Sequence, residues 1–239
     1  IQQFIYKISS KKALKSLRAR SFYLEILPEN LVDEILSTCY LYRTNIIYTG
    51  GGHAYILLPN TEKTKNSVNE IINNTNDWFI KLFKDKLYIA HGLVECSPKA
   101  FVDTIGDRDD YTSIFKDLSA QISEKKLRRY TVEQLRELNN MVEESYEREC
   151  SICGVSSSLS EVEGMYICEN CLSFQDISNK LIKEDAIFII KNEKGDKTSL
   201  PLFDYAGHNL YIESVNATIA KKYLKEEPQL IKRLYSKNI

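Results

Sequence analysis

Four cysteines in two matched pairs are the clearest candidates for chemistry in this chain of 239 residues. Cys150 and Cys153 form one C-x-x-C pair, Cys168 and Cys171 form a second, and fourteen residues separate the two pairs. Each pair can bring two thiolates to one ion, and the segment between them is long enough to complete a tetrahedral site. Four soft ligands favour Zn²⁺ and leave no position open for catalysis, so we expect a structural zinc site. Two disulfides or inert cysteines are the alternative.

Three consecutive glycines, Gly50, Gly51 and Gly52, followed by His53, join two short apolar segments. A hairpin needs positive φ at one or two tip residues, so the third glycine suggests that something approaches the main chain closely. A Walker loop and a dinucleotide fingerprint are both excluded, because no lysine follows the glycines and the run joins strand to strand. The bare N–H groups could hold a triphosphate or a nucleobase. A turn packed against a neighbouring domain is the alternative, and His53 is more simply a polar cap than a base.

The elements that must position these residues follow from hydrophobic periodicity and turn signals. The first half predicts helix, strand, strand, helix and strand, at 12–27 and beyond Pro28, 45–50, 53–58, 62–84 and 86–96. This order is one strand short of the split β-α-β-β-α-β fold. The second half predicts two helices, the cysteine cluster and a short α/β segment. Thr131 and Gln134 predict a capping box at the start of the second helix, and Gly154 favours the turn that the first cysteine pair needs. We therefore predict an α+β protein with a ferredoxin-like, palm-type domain over 1–108 and a helical zinc-knuckle domain over 109–239.

The amino-acid composition limits the class of protein and the kinds of partner. The net charge is −1, with 43% hydrophobic and 27% charged residues, so bulk charge predicts neither a nucleic-acid nor a membrane partner. No apolar run is long enough for a membrane span, and clustered cysteines suit a reducing cytoplasm. The chain begins at Ile1 rather than Met, and we expect it to be an excised piece of a longer protein.

The charged residues are unevenly distributed along the chain, although the net charge is close to zero. Six cations with no acid before Glu25 precede or begin the first long helix: Lys7, Lys11, Lys12, Lys15, Arg18 and Arg20. They could follow phosphates, although a solvated basic helix is the simpler interpretation. A second basic segment carries Lys125, Lys126, Arg128 and Arg129, and we expect it to be solvated or to touch another subunit.

Several strings resemble a known family, and they occur in the same order along the chain: IQQFIY, KALKSLRARSFYLE, IYTGGGHAYILLPNT, YEREC before the first cysteine pair, and the terminal LYSKN. They resemble the large subunit of type III-A CRISPR–Cas effector complexes (the Csm type). That subunit carries an HD nuclease domain, a first palm, a zinc-bearing domain, a second palm and a C-terminal helical domain. The resemblance implies that this chain corresponds to the first palm and the zinc-bearing domain, without the HD motif or the second palm's G-G-D-D hairpin.

The resemblance also implies roles for the glycine hairpin. The glycines would occupy the position of G-G-D-D, with Gly52 and His53 replacing the two acids, so this palm would bind one ATP and supply no catalytic residue. The implied nucleotide contacts are Gly50 to Gly52, His53 and, by pseudo-symmetry between the palms, Arg20, Ser21 and Phe22. Mg²⁺ or Mn²⁺ would be held by the second palm, which is absent from this chain.

The function implied is therefore the non-catalytic, ATP-binding half of a cyclic-oligoadenylate synthase in an RNA-guided antiviral complex. Its partners would be the second palm, the HD domain that cleaves single-stranded DNA, other Csm subunits, and guide and target RNA. A different class of function is a zinc-stabilised docking module for effector subunits and RNA that makes no nucleotide contact. A stand-alone zinc-dependent nucleic-acid binder is poorly supported by the near-neutral charge. A self-sufficient cyclase is disfavoured because the hairpin tip carries no acid.

Overall fold

A computed structural model describes residues 2–6, 13–101, 108–140, 148–191, 200–205 and 208–236 of the chain. Within these ranges the protein is a mixture of helix and sheet, as predicted. Lys7, Lys11 and Lys12 lie outside the described residues. None of the described helices has both the length and the apolar character needed to cross a membrane.

The α-helices in the described residues are α1 (Gln2–Tyr6), α2 (Ala13–Thr38), α3 (Glu62–Phe83), α4 (Arg108–Leu127), α5 (Val132–Asn140), α6 (Glu169–Lys183) and α7 (Ala217–Glu226). The strands are β1 (Ile46–Gly50), β2 (His53–Ile56), β3 (Leu159–Val162), β4 (Met165–Cys168), β5 (Ala186–Lys191), β6 (Leu200–Tyr205), β7 (His208–Val215) and β8 (Ile231–Ser236). The strands form the hairpin β1-β2, the hairpin β3-β4 and a four-stranded sheet in the order β6-β7-β5-β8.

Backbone contacts divide the chain into two compact units that do not follow the predicted boundary at residue 108. The first unit contains 1–32, 48–54 and 142–239, and the second contains 33–47 and 55–141. The division therefore passes through α2 and through the β1-β2 hairpin. The division into domains at 1–108 and 109–239 stays a prediction.

The first unit is built on the four-stranded sheet, in which all neighbouring strands are antiparallel. Every residue of β5 except Lys191 is buried, and successive side chains of a strand point to opposite faces. Both faces of the sheet are therefore covered. On one face Phe188 packs against Tyr223 of α7, with ring centroids 5.9 Å apart.

The start of α2 packs against α1 and α6 through aromatic side chains. The ring of Tyr23 meets that of Phe174 edge to face, with centroids 5.3 Å apart, and Phe4 lies 6.0 Å from Phe174. The Tyr23 hydroxyl donates a hydrogen bond to the carbonyl oxygen of Pro201 at 3.0 Å, which joins the helix to β6. Burial raises the pKa of Tyr23 well above its usual value, so this hydroxyl stays a donor.

The second unit is mainly helical. Thr61 caps α3 by accepting a hydrogen bond from the Thr64 N–H at 3.2 Å, as its position after Pro59 predicts. Thr131 and Gln134 form the predicted capping box of α5: the Thr131 N–H donates to Gln134 Oε1 at 3.0 Å, and the Gln134 N–H donates to Thr131 Oγ1 at 3.2 Å. These caps place the starts of α3 and α5 at Glu62 and Val132, where the sequence indicates them.

The predicted strand over 86–96 is wrong. These residues contain the end of a short 3₁₀ turn and then a segment with no strand partner among the described residues. Two amide side chains satisfy its backbone instead. Asn76 bonds both the N–H and the carbonyl of Ile89, at 2.9 and 3.0 Å, and Gln121 does the same for Leu93, at 2.9 Å each. Side chains thus replace the neighbouring strand that alternation of apolar residues suggested.

The position of the large sheet also differs from the prediction. The described residues of 1–108 contain only the two strands of the β1-β2 hairpin, whereas the four-stranded sheet is formed by residues after 185. In the split β-α-β-β-α-β fold a hairpin connects the second and third strands of the sheet. The glycine hairpin does not make this connection, because it forms a separate two-stranded sheet. That connection falls between β6 and β7, at residues 206 and 207, which lie outside the described residues.

Candidate metal centre and glycine hairpin

The first cysteine pair lies on a tight turn. Gly154 has a φ of +67°, which few side-chain-bearing residues adopt, and its N–H donates to the Cys150 carbonyl at 2.9 Å. The Cys150 N–H donates in turn to the Val155 carbonyl at 3.0 Å. This knuckle turns the Cys150 and Cys153 side chains toward the same point, as the glycine after the pair predicts.

The second pair is placed by a hairpin that runs into a helix. Glu163 and Gly164 have φ values of +52° and +74° and connect β3 to β4 by the two-residue turn that suits a hairpin. Cys168 ends β4 and is also the N-cap of α6, whereas Cys171 lies in the first turn of that helix. The positive end of the helix dipole thus faces the thiols and favours their ionised form.

The four cysteines meet at one point, as the sequence predicts. The sulfur atoms of Cys150, Cys153, Cys168 and Cys171 all lie within 4.8 Å of one another, and Cys153 is the only one of them that is not fully buried. Cys153 Sγ lies 3.7 Å from Cys168 Sγ. Four sulfurs at about 2.3 Å from a tetrahedral ion are about 3.8 Å apart, whereas a disulfide bond is about 2.05 Å long. The cysteines are free, so the disulfide alternative is wrong, and the cluster could hold a metal ion.

Electrostatics at this cluster require a cation if all four thiols are to ionise. Hydrogen bonds from Cys153 and its neighbours lower the pKa of Cys150 far below its usual value, and the N–H of Cys168 also donates to Cys150 Sγ at 3.4 Å. The pKa of Cys171 moves the other way, raised by its hydrogen bonds to the other thiols and by burial. A divalent ion removes this opposition because it stabilises every thiolate at once.

The glycine hairpin has an open tip. Gly51 and Gly52 have φ values of +57° and +76°, which are the conformations a two-residue hairpin turn requires. A Cβ added at Gly51 meets no atom of the described chain within 4 Å, whereas one at Gly50 meets the hydroxyl of Tyr48 at 2.9 Å. A side chain at Gly50 would require the Tyr48 hydroxyl to move, and the φ of +158° there also favours glycine. His53 is exposed, and its Nδ1 lies 3.1 Å from the Gly51 carbonyl oxygen, as expected of a polar cap.

The three residues of α2 that were predicted to contact a nucleotide differ in how exposed their side chains are. Arg20 is 6% exposed, and its Nη1 donates to the Phe4 carbonyl at 2.7 Å while its guanidinium lies 5.2 Å from the Phe4 ring centroid. Ser21 is exposed and Phe22 is half-buried. The Arg20 guanidinium thus serves the packing of α1 on α2, whereas the Ser21 side chain is accessible.

The two basic segments of the sequence, in α2 and at residues 125–129, differ in how exposed their side chains are. Lys15 and Arg18 of α2 are exposed, as a solvated helix face predicts. Helix α4 ends at Leu127, so Lys125 and Lys126 lie in its last turn, and only Arg128 and Arg129 belong to the connector. Lys125 is half-buried beside His91, a contact that sequence spacing of 34 residues does not reveal.

Comparison with known proteins identifies the family. Residues 1–141 match the family model described as Csm1 subunit domain B. The chain belongs to the Csm1 family. A Csm1 protein of Mycobacterium tuberculosis is 39% identical over 212 residues, which are 84% of this chain and 26% of that protein. One from Enterococcus italicus is 37% identical over 239 residues, covering 100% of this chain and 29% of the relative. Both are named CRISPR system single-strand-specific deoxyribonuclease Cas10/Csm1 (subtype III-A).

Solved Csm1 structures have a similar fold. The Csm1–Csm4 subcomplex of the type III-A CRISPR–Csm interference complex matches 90% of this chain and 24% of its own, with a TM-score of 0.62 and 22% identity. A Csm1–Csm4 cassette in complex with one ATP matches 90% of this chain with a TM-score of 0.61 and 21% identity. The predicted membership is confirmed, and the chain spans between a quarter and a third of the length of these two relatives.

Proposed function

We propose that this chain is the non-catalytic, nucleotide-binding part of a Csm1 subunit that makes cyclic oligoadenylates from ATP within an RNA-guided type III-A complex. The observation that carries this proposal is the open tip at Gly51, which is exposed and has no side chain of the described residues in the space beside it. Gly50, Gly51, Gly52 and His53 supply no carboxylate, so the tip can contact a nucleotide but cannot hold the two metal ions of phosphoryl transfer.

The chemistry divides between two parts of the subunit. Main-chain N–H groups near Gly51 and Gly52 orient the phosphates or the base of one ATP, with Ser21 and Phe22 of α2 as further contacts. Arg20 stays with Phe4 and is left out of this set. Mg²⁺ or Mn²⁺ would be held by the second palm, where it would assist the attack of a ribose hydroxyl on an α-phosphate that breaks the α–β phosphoanhydride bond and releases pyrophosphate. Solved Csm1–Csm4 cassettes bound to one ATP and to cA4 support an ATP site in relatives of this chain.

The metal centre has a structural role in this proposal. Zn²⁺ at the four cysteines fixes the knuckle, the β3-β4 hairpin and the start of α6 as one piece, and Ile152, Met165 and Ile167 enclose it. With its four positions filled by protein, the ion takes no part in the reaction.

Partners follow from the same assignment. We infer that the chain works in the cytoplasm beside its second palm and HD nuclease domain, and that the subunit associates with other Csm subunits, guide RNA and target RNA. Csm1–Csm4 structures among its neighbours support a Csm4 partner. We assign the palm-type sheet to β5–β8 rather than to the residues before 108. The first and third of these four strands lie at the centre of the sheet, as they do in the split β-α-β-β-α-β fold.

The experiment changes the hairpin tip in the complete subunit. Gly51→Val places a branched side chain on a residue with φ +57°, and Gly164→Val is the matched control because Gly164 has φ +74° and equally open space. Both variants carry similar backbone strain, so only a nucleotide contact distinguishes them. We expect Gly51→Val to reduce cyclic-oligoadenylate synthesis on the order of tenfold or more, which corresponds to losing about 1.4 kcal/mol of binding. Equal activity of the two variants contradicts the proposal.

A second candidate function is a docking module with no nucleotide contact. It is favoured by apolar side chains exposed on and beside the hairpin strands: Ile47 is 46% exposed, Tyr48 52% and Leu57 40%. A partner that covers this surface would explain them. Ile47→Ser in the complete subunit distinguishes the two functions, because loss of assembly with normal ATP binding supports docking alone.

A further inference from the structure

A cleft in the second unit carries a concentration of charge that the proposed function does not use. It encloses about 600 Å³, within the range of small-ligand sites, and is lined by α3, the segment around residues 88–91, the end of α4 and α5. Its lining includes four cations: Lys81, Lys125, Arg128 and Arg129. None of the residues that line the cleft belongs to the glycine hairpin. Ligand binding in the cleft therefore does not depend on the hairpin.

Lys125 is the most constrained of the cations. Its Nζ lies 2.9 Å from Nε2 of His91, and no described carboxylate forms an ion pair with it. Burial lowers the pKa of Lys125, and burial together with the Lys125 charge lowers the pKa of His91 to about 4, so the imidazole is neutral. An ammonium carries three N–H groups, and His91 can accept only one of them. At least two donors of a half-buried cation thus lie in the wall of the cleft.

The neighbouring cations extend this donor surface. Arg129 donates from Nε to the Lys126 carbonyl at 3.1 Å, which positions its guanidinium beside the end of α4. The guanidinium also hydrogen-bonds the Tyr130 side chain, and it forms no ion pair among the described residues. Arg128 is only loosely paired, with its Nη1 3.8 Å from Glu124 Oε1. Cations that converge without closely bound carboxylates are the arrangement that binds phosphate oxygens.

Aromatic and acidic groups in the same cleft narrow the class of ligand. Tyr88 and Tyr130 meet edge to face, with centroids 5.9 Å apart and ring planes at 73°. Both side chains are half-buried, so part of each is accessible to a base that stacks on it. Three carboxylates also line the cleft, those of Asp77, Glu133 and Glu137. They can accept hydrogen bonds from the amino groups of nucleobases.

We propose that this cleft binds a nucleotide of a single-stranded nucleic acid, with a backbone phosphate on Lys125 and Arg129 and the base against Tyr88 or Tyr130. The cations, the aromatic rings and the carboxylates of the cleft then contact the phosphate, the base face and the base amino groups of the nucleotide, respectively. A free nucleotide has the same parts, and the test separates the two sources.

The test uses the complete subunit and a single-stranded RNA of twelve nucleotides that contains 4-thiouridine, followed by ultraviolet crosslinking and peptide mapping. We expect crosslinks at Tyr88 or Tyr130. Lys125→Gln and Arg129→Gln should each reduce their yield on the order of tenfold, as loss of a phosphate contact predicts. Lys126→Gln is the matched control: Lys126 is exposed, lies one residue away in the same helix and does not line the cleft. It should change the yield less than twofold.

Competition identifies the ligand. Unlabelled single-stranded RNA or DNA should remove the crosslinks, and ATP or polyglutamate at the same phosphate or carboxylate concentration should not. The proposal is overturned if no crosslink falls within 72–91 or 125–137, if Lys126→Gln has the same effect as Lys125→Gln, or if ATP or polyglutamate competes as well as RNA. Gly51→Val should leave these crosslinks unchanged, so failure here and failure of the proposed function are separate results.

Discussion

The sulfur atoms of Cys153 and Cys168 lie 3.7 Å apart, although fourteen residues separate them in the sequence. This distance is close to that between two ligands of one tetrahedral zinc ion. The two residues come from different elements, the turn at Gly154 and the end of β4, and each brings its own C-x-x-C partner. The four sulfur atoms therefore have the spacing of a closed S₄ site and could hold a metal ion.

Metal analysis should find about one zinc ion per chain. Cys153→Ser should lower this content and the melting temperature, because one ligand is lost and the remaining thiolates repel one another. Cys39→Ser is the control, since Cys39 lies outside the cluster in the residues that follow α2. Zinc content that is unchanged by Cys153→Ser, or absent from the native chain, contradicts the site.

Arg20 should contribute to stability rather than to nucleotide affinity. Arg20→Gln removes the hydrogen bond to the buried Phe4 carbonyl and should lower the free energy of unfolding by about 1–3 kcal/mol. Arg18→Gln is the matched control, because Arg18 is exposed and reaches Ser178 Oγ at only 3.5 Å. The measurements are thermal unfolding and ATP binding by the complete subunit. A large loss of ATP affinity with unchanged stability would show that Arg20 contacts the nucleotide instead.

His91 should make the protein less stable in acid. Its pKa is about 4 in the folded chain and about 6.5 when unfolded, so the unfolded state binds more protons between these values. Stability is complete above pH 6.5 and decreases as the pH falls toward 4, by about 3 kcal/mol at most. Thermal unfolding of the native chain and of His91→Gln, measured from pH 7 to 4.5, isolates this contribution from that of the carboxylates. Identical pH dependence of the two proteins rules out the shift.

Asn76 should be needed for the segment that replaces the predicted strand. Asn76→Leu leaves the N–H and the carbonyl of Ile89 without their side-chain partner in a half-buried position, which should cost about 2 kcal/mol or more. Asn73→Leu is a useful comparison, since Asn73 lies on the same helix and is exposed. Hydrogen exchange at residues 87–91 should increase in Asn76→Leu alone. Equal protection of this segment in the two variants contradicts the role of Asn76.

Local signals predict local structure well in this chain. The cysteine spacing, Gly154, the Thr131–Gln134 capping box and the glycine hairpin are each defined by residues a few positions apart, and the structure has them as predicted. The apolar alternation at 86–96 failed for a physical reason: it records burial, and the hydrogen-bond partners of that backbone are side chains from α3 and α4.

Contacts between residues that are far apart in the sequence could not be predicted from local patterns. Leu14 fits an apolar helical stripe but is 77% exposed, whereas Arg20 has a charged side chain and is buried because Phe4 accepts its hydrogen bond. The pairing of Lys125 with His91 likewise depends on packing between elements. The sheet after residue 185 was predicted as strands, but its order depends on strand pairing that periodicity does not determine.

The central claim is that a hairpin tip without acids holds a nucleotide by its main chain. The most direct measurement is a structure of the complete Csm1 subunit with a non-hydrolysable ATP analogue. We expect the analogue within hydrogen-bonding distance of the backbone at Gly50–Gly52 and metal ions bound only to the second palm. An analogue bound elsewhere, with the tip covered by another protein segment, would contradict it.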